Sequence, residues 1–441
     1  MAIFLCFFWL TLLYADSYIQ SKEKDIFSPL RFVTLRLMLQ QLPFILYIAI
    51  FPDNFFRKIL SVCKVDVQSA FLQFTFVQTV AYLSLVAGIN FIKKDFTFLK
   101  RYISNHGASS LRKMRTAYLL LFTVAVLACI ACIINVGGLG YLLSHLTDKS
   151  RTLLRVNQYY AFLFVFLYIS PLICMQAISR YGRGADKLML FLQIAVALFL
   201  ENTLGGRTGT VILLATIVAG YHYIIKPIKF NWSLLAKIVP LGVVFSMYFL
   251  AVPLLRSGNH LSDFKRFASI RNFMYQTSYV YIDVFSSNYF TFDNAWWFSG
   301  FFEPVKALGA KKEKKGDIPQ VDQGVYFKSI VLRQQYYKPP MPRKDLVLTS
   351  WPTENFGFAY ANFLLPGTII FFFLLGVLFS WGYKIMRGCI DNPAVISFYI
   401  IFILLFNFSS LRVADFVKIT WLYLLIAVVY HKFIHKKMTE K

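Results

Sequence analysis

Residues 188–225 read LMLFLQIAVALFLENTLGGRTGTVILLATIVAGYHYII. Two apolar runs flank a polar turn, and with their edges at 187–204 and 209–226 each reaches the length of a spanning helix, about 17–25 residues. The turn keeps Glu201, Asn202 and Arg207 among three glycines, Gly205, Gly206 and Gly209. An arginine at the centre of a spanning helix costs roughly 2.5–3.5 kcal/mol on insertion scales, so polar groups at this depth are functional candidates by default. The alternative is that Arg207 snorkels from a helix end to a headgroup. The stretch therefore reads as a membrane helix hairpin whose tip carries chemistry.

The rest of the chain agrees with a membrane class. It is 58% hydrophobic and only 15% charged, with a mean hydropathy of +0.58; soluble domains carry about a quarter charged residues. Forty-seven Phe and 26 Tyr suit a lipid-facing surface with aromatic belts. A net charge of +25 invites a nucleic-acid partner, but the cations are scattered between apolar spans, where headgroups and the positive-inside rule account for them. No nucleic-acid binding is expected. MAIFLCFFWL at the start lacks a basic n-region and a small-residue cleavage site, so no cleavable leader is read there. The six cysteines avoid the long 256–357 loop, and neither a disulfide framework nor a zinc site is suggested.

Apolar runs of spanning length predict about eleven helices, near 1–17, 28–51, 68–92, 117–138, 157–179, 187–204, 209–226, 234–255, 359–384, 393–411 and 417–433. The second is the weakest, being interrupted by Arg31, Arg36 and Pro43. Residues 93–115 hold Lys93, Lys94, Lys100, Arg101, Arg112, Lys113 and Arg115 against Asp95 alone, which marks that loop as cytoplasmic. Counting outward puts SKEK (21–24), RYGRGADK (180–187), KPIK (226–229) and the basic tail on the same side. The N-terminus is then outside and the C-terminus inside. The expected organisation is helices one to eight over 1–255, a large extracytoplasmic loop over 256–357, and three more helices with a basic tail over 358–441. That loop is read as opening with an amphipathic helix (Phe264, Phe267, Phe273, Met274, Tyr281). KKEKKGD (311–317) and KPPMPRKD (338–345) read as solvated turns. The chain re-enters the membrane through TSWPTENFGFAYANFLLPG (349–367).

This orientation places the GGRTG turn at the outer mouth. Its glycines permit a tight turn and close ligand approach, the N–H groups opening the next helix form an anion site, and the planar fork of Arg207 suits phosphate oxygens. Thr208 adds a hydroxyl. Arg256, Arg271 and Arg412 fall at similar depth, each a snorkelling anchor or a phosphate ligand. Asp415, three residues after Arg412, is either a local ion pair or a base. Glu354 is either a helix N-terminal charge or a base. Glu201 is expected to pair with a nearby cation. His145 and His260 are external loop histidines with weak claims, and Asp283 and Asp293 are expected on the surface or in turns. Trp296, Trp297, Trp351 and Tyr360 are sugar-stacking candidates or interfacial anchors.

The glycine–arginine turn, the long outer loop and PTENFGFAYANF (352–363) resemble the Wzy-type O-antigen and oligosaccharide repeat-unit polymerases, most of all the subgroup that includes the enterobacterial common antigen polymerases. Gly205–Gly206–Arg207, Arg256, and Arg412 with Asp415 look similar to short motifs of that subgroup, whereas Lys265, Arg266 and Arg271 do not align cleanly. The resemblance implies an all-α, GT-C-like glycosyltransferase of the bacterial inner membrane with its site facing the periplasm. Its substrates would be a growing glycan on undecaprenyl diphosphate and a single lipid-linked repeat unit. It would need no cofactor and no metal, and the loop offers no DxD motif. A chain-length regulator and a flippase are implied partners. On this reading Arg207, Arg256, Arg412 and Arg271, with Gly205, Gly206 and Thr208, hold diphosphate and glycan, and Asp415 or Glu354 takes the acceptor proton. An O-antigen ligase is the neighbouring alternative. A flippase or transporter is the alternative from another class, against which the asymmetric loop and unpaired span count weigh.

Overall fold

The computed structural model describes residues 1–21, 25–51, 54–92, 110–144, 159–204, 207–228, 280–302, 316–319, 322–347, 350–351, 353–408 and 412–434. Fourteen α-helices occur among them: α1 Ala2–Gln20, α2 Pro29–Ile50, α3 Asn54–Cys63, α4 Val67–Phe91, α5 Leu111–Val136, α6 Gly138–Ser144, α7 Phe166–Tyr181, α8 Gly184–Leu204, α9 Arg207–Gly220, α10 Tyr281–Tyr289, α11 Gln323–Arg333, α12 Asn355–Gly388, α13 Pro393–Leu405 and α14 Arg412–Ile434. The only strand-like pairing among the described residues is an isolated bridge between Pro319 and Pro342. Six of the helical segments, α1, α2, α4, α5, α7 with the turn before it, and α12, are long and apolar enough to cross a membrane, and three shorter apolar helices accompany them. The chain is thus an all-α membrane protein. Residues 229–279, which hold the expected eighth helix and the amphipathic opening of the loop, lie outside the described residues.

Local chemistry explains several helix limits. Asp66 caps α4, its Oδ1 accepting from the Gln68 and Ser69 amides at 2.8 and 3.1 Å. Gly137, at φ 116°, closes α5 in the left-handed conformation that glycine adopts without strain. The interrupted second span is a continuous helix: Pro29 sits in its first turn, where no amide is needed, and Pro43 is accommodated inside.

The described residues group into two compact units, each assembled from distant parts of the chain. The first comprises Met1–Lys94, Phe273–Tyr383 and Leu405–Lys418. Here α4 and α12 cross backbone against backbone. A Cβ on Gly88 would lie 2.0 Å from the Phe373 carbonyl oxygen, and one on Gly376 would lie 2.2 Å from that of Leu85. Small residues permit such approach where lipid gives helices no hydrophobic drive to associate.

α12 breaks early, with Leu364 at φ 52° and ψ −160°. Pro366 lacks the amide that would bond Asn362, and its ring disfavours helical geometry before it. Just before the break, the Ala361 carbonyl accepts the Trp296 amide at 2.8 Å. The helix expected from 359 therefore starts at Asn355 as a short arm, Asn355–Phe363, before the membrane part resumes. Trp296 is fully buried and donates its indole N–H to the Tyr337 carbonyl at 3.0 Å. It is a core residue, which corrects its reading as a sugar platform or interfacial anchor. Tyr360 is also buried.

The second unit comprises Asp95–Asn272, Lys384–Leu404 and Ile419–Lys441. Arg115 forms a bidentate pair with Asp186, both bonds 2.9 Å, and Tyr118 donates to the same carboxylate at 2.8 Å. Their contact joins the N-terminal ends of α5 and α8.

Candidate functional site

Four segments of the first unit wall a largely apolar cavity with a few polar groups in its lining. From α2 come Val33, Arg36, Leu37, Gln40 and Gln41, a single face at i, i+3, i+4, i+7 and i+8. α4 contributes Gln78 and Leu85, two turns apart; the membrane part of α12 contributes Phe372, Leu375 and Phe379. Val280 and Asp283 close it from the loop, and Glu354, Asn355 and Phe356 from the arm. The cavity holds about 640 Å³ of non-atom space, its open mouth included.

The PTENFGFAYANF motif organises these walls. The Asn407 amide donates to the Thr353 carbonyl at 2.6 Å, that of Asn355 donates to the Phe406 carbonyl at 2.9 Å, and the Phe408 amide returns to Asn355 Oδ1 at 3.0 Å. Ser286 donates to the Gly357 carbonyl at 2.9 Å. Asn362 Oδ1 accepts the Gly300 amide at 3.0 Å. Buried polar groups that each meet a partner specify one arrangement of the backbone. The motif is thus a latch that holds loop and arm over the cavity.

Three groups set the electrostatics. Arg36 Nη2 meets Glu354 Oε2 at 2.6 Å, with side chains 24% and 26% exposed. Asp283, 4% exposed, accepts the Gly357 amide at 3.1 Å. Burial first, and then the nearby Glu354 charge, push its carboxyl well above the usual carboxylate range, while the Gly357 amide pulls the other way. Asp283 is therefore not the surface or turn residue expected; Asp293 is exposed in a turn, as expected. Gln78 is 1% exposed, and its Oε1 has no hydrogen-bond partner. An unmet buried acceptor costs about 1–3 kcal/mol. Its neighbour Gln41 accepts the Tyr14 hydroxyl. Together they offer a compensated guanidinium, a protonatable carboxyl and a lone amide acceptor. No group of three or more His, Cys, Asp or Glu side chains able to hold a metal occurs among the described residues.

Of the expected site, Glu354 alone has a described side chain. It stands just before α12, as expected for an N-terminal helix charge, and its partner is Arg36, 318 residues away. Arg207 and Thr208 open α9, and Arg412 and Asp415 share the first turn of α14. Beyond the backbone of those four nothing is described, and Gly205, Gly206, Arg256, Arg271, His145 and His260 lie outside the described residues. The structure brings Glu354 together with Arg36 and Asp283, neither of them a candidate from sequence. Their signal was present in part, since Arg36, Gln40 and Gln41 interrupt an apolar run and polar residues inside a span are functional by default.

In the second unit Glu201 is buried, and among the described side chains its partner is a hydroxyl: Tyr168 donates to Oε1 at 2.5 Å. A Cβ on Gly209 would lie 1.9 Å from the other carboxylate oxygen. The third glycine of the turn thus leaves room for Glu201 against the first turns of α9, where the helix dipole favours an acid. No protein-family model matches the chain, and neither a curated protein nor a solved structure is detectably similar to it.

Proposed function

We propose that this protein is a membrane glycosyltransferase that polymerises oligosaccharide repeat units carried on undecaprenyl diphosphate, acting at the periplasmic face of the bacterial inner membrane. In this reading the chain crosses the membrane about eleven times, N-terminus out and C-terminus in, in a GT-C-like arrangement. The observation that carries the proposal is the position of Glu354. This carboxylate belongs to the motif that resembles the Wzy-type polymerases, and it lines a cavity together with Arg36 and Asp283.

The chemistry asked of the site is simple. An acceptor hydroxyl oxygen bonds to the donor's anomeric carbon, the bond from that carbon to the diphosphate oxygen breaks, and undecaprenyl diphosphate leaves with the electron pair. The acceptor proton passes to a carboxylate, Glu354 or Asp415, a contribution of about 10²–10⁴-fold. Arginines stabilise charge on the leaving diphosphate; Arg207, Arg256 and Arg412 are proposed for this, with Arg271 a fourth. Gly205, Gly206 and Thr208 complete the proposed binding turn.

The test is formation of glycosidic bonds by the purified full chain supplied with lipid-linked repeat units. Products longer than one unit support the reading, and unchanged substrate refutes it. In cells, deletion should leave surface lipid capped with a single unit; bare core would identify a ligase instead. Arg207→Ala, expressed at wild-type level, should give the single-unit phenotype, and long chains in that variant would remove Arg207 from the mechanism.

A further inference from the structure

We propose that the cavity walled by α2, α4, α10 and the start of α12 is a binding site for a neutral sugar residue, whose hydroxyls donate to Gln78 and bond with Asp283. The starting observation is the unpartnered Oε1 of Gln78, 1% exposed and lining the cavity. Gln78 lies 11 residues into α4, roughly 16 Å from its start at 1.5 Å per residue. At that depth a leucine would satisfy packing without loss. An amide carbonyl there calls for a hydrogen-bond donor from a ligand.

Charge selects the class of ligand. Among the described residues the lining holds one guanidinium, already paired with Glu354 at 2.6 Å, and Asp283 adds a second carboxyl. A phosphate or diphosphate would therefore meet no uncompensated positive charge among them. Burial and Glu354 bias Asp283 toward its protonated form, so the floor offers a donor beside an acceptor, the complement of a hydroxyl. Phe356 and Phe372, ring centroids 6.3 Å apart and tilted by 56°, supply apolar wall. A few convergent polar groups on largely apolar walls are the makings of a small-ligand pocket. Which sugar enters rests on the proposed polymerase function: it would be a residue of the repeat unit.

The experiment uses the full chain in nanodiscs and two probes, the oligosaccharide freed by mild acid from the host's lipid-linked repeat unit, and inorganic diphosphate. Dissociation constants are measured for wild type, Gln78→Met, Gln78→Leu and Asp283→Asn. The expected result is saturable oligosaccharide binding by wild type that weakens by about tenfold in each variant, the loss of one hydrogen bond worth about 1.4 kcal/mol. Diphosphate binding should be the same in all four, which also certifies that the variants are folded. Equal oligosaccharide binding by wild type and both Gln78 variants, or none by wild type, overturns the site. Weaker diphosphate binding in properly assembled variants would assign the cavity to phosphate instead and overturn it equally. Oligosaccharide binding without polymerisation by wild type would refute the polymerase reading and leave the sugar site standing.

Discussion

Replacing Gly88 by alanine should unlock the first unit. The added Cβ would lie 2.0 Å from the Phe373 carbonyl oxygen, 2.9 Å from its carbon and 3.1 Å from the Val377 amide nitrogen. All three obstacles are backbone, so no side chain can swing away. Restoring an ordinary contact of 3.4 Å requires α4 and α12 to part by about 1.4 Å. That separation would strain the edge-to-face packing of Phe91 on Phe373, now 5.4 Å between centroids. Overpacking of this kind costs typically 1–3 kcal/mol. Because the same two helices carry Gln78, Phe372 and Leu375 into the cavity, it should also loosen the site. The assay is the half-life of the folded protein in detergent at a fixed elevated temperature, with Gly140→Ala as control, since a Cβ there meets nothing within 4 Å. Gly88→Ala should shorten the half-life several-fold while the control leaves it unchanged. A Gly88→Ala protein as long-lived as the control would refute the backbone crossing.

Other perturbations test the remaining contacts. Arg36→Ala and Glu354→Ala should each destabilise the protein, and the double variant should lose less than their sum by about 0.5–3 kcal/mol; additive losses would deny the pair. Asp283 binds its proton more tightly in the folded chain than its ordinary value of 3.8 implies. Its contribution to stability is therefore complete below that pH and falls as pH rises toward the folded value, where the unfolded chain alone has ionised. Asp283→Asn should flatten that decline in a series of detergent half-lives from pH 4 to 8, and an unaltered slope would exclude Asp283 as its source. Gly209→Ala pushes a Cβ to 1.9 Å from the Glu201 carboxylate, and Tyr168→Phe removes its 2.5 Å hydrogen bond. Each should cost about 1–3 kcal/mol, and the two should be less than additive in thermal unfolding.

Much of the fold was legible because membrane insertion is read locally. A run of about twenty apolar residues must satisfy its own backbone as a helix, so α1, α4, α5 and α7 could be placed from composition alone. The weakness attached to 28–51 came from Arg31, Arg36 and Pro43; for Arg36 the compensating charge, Glu354, is remote in sequence, and no window on the chain contains both. The start of α12 was misplaced for a related reason. Its arm sets Asn355, Gly357 and Asn362 among aromatics just after a loop, and it is tethered by hydrogen bonds to Asp283 and to residues 406–408 that no local window shows.

The amino-acid sequence by itself determined the class of this protein, its helices and the polar positions at which a bilayer would tolerate chemistry, since hydropathy and charge act over a few turns. Only the tertiary structure decided which polar positions meet. Arg36 with Glu354, Asp283 beneath the Gly357 amide, Gln78 in the wall of a cavity and the crossing of α4 with α12 at Gly88 and Gly376 all join residues remote in the chain. Such crossings are chosen by shape and by the mutual satisfaction of buried groups, which no local property of the chain records.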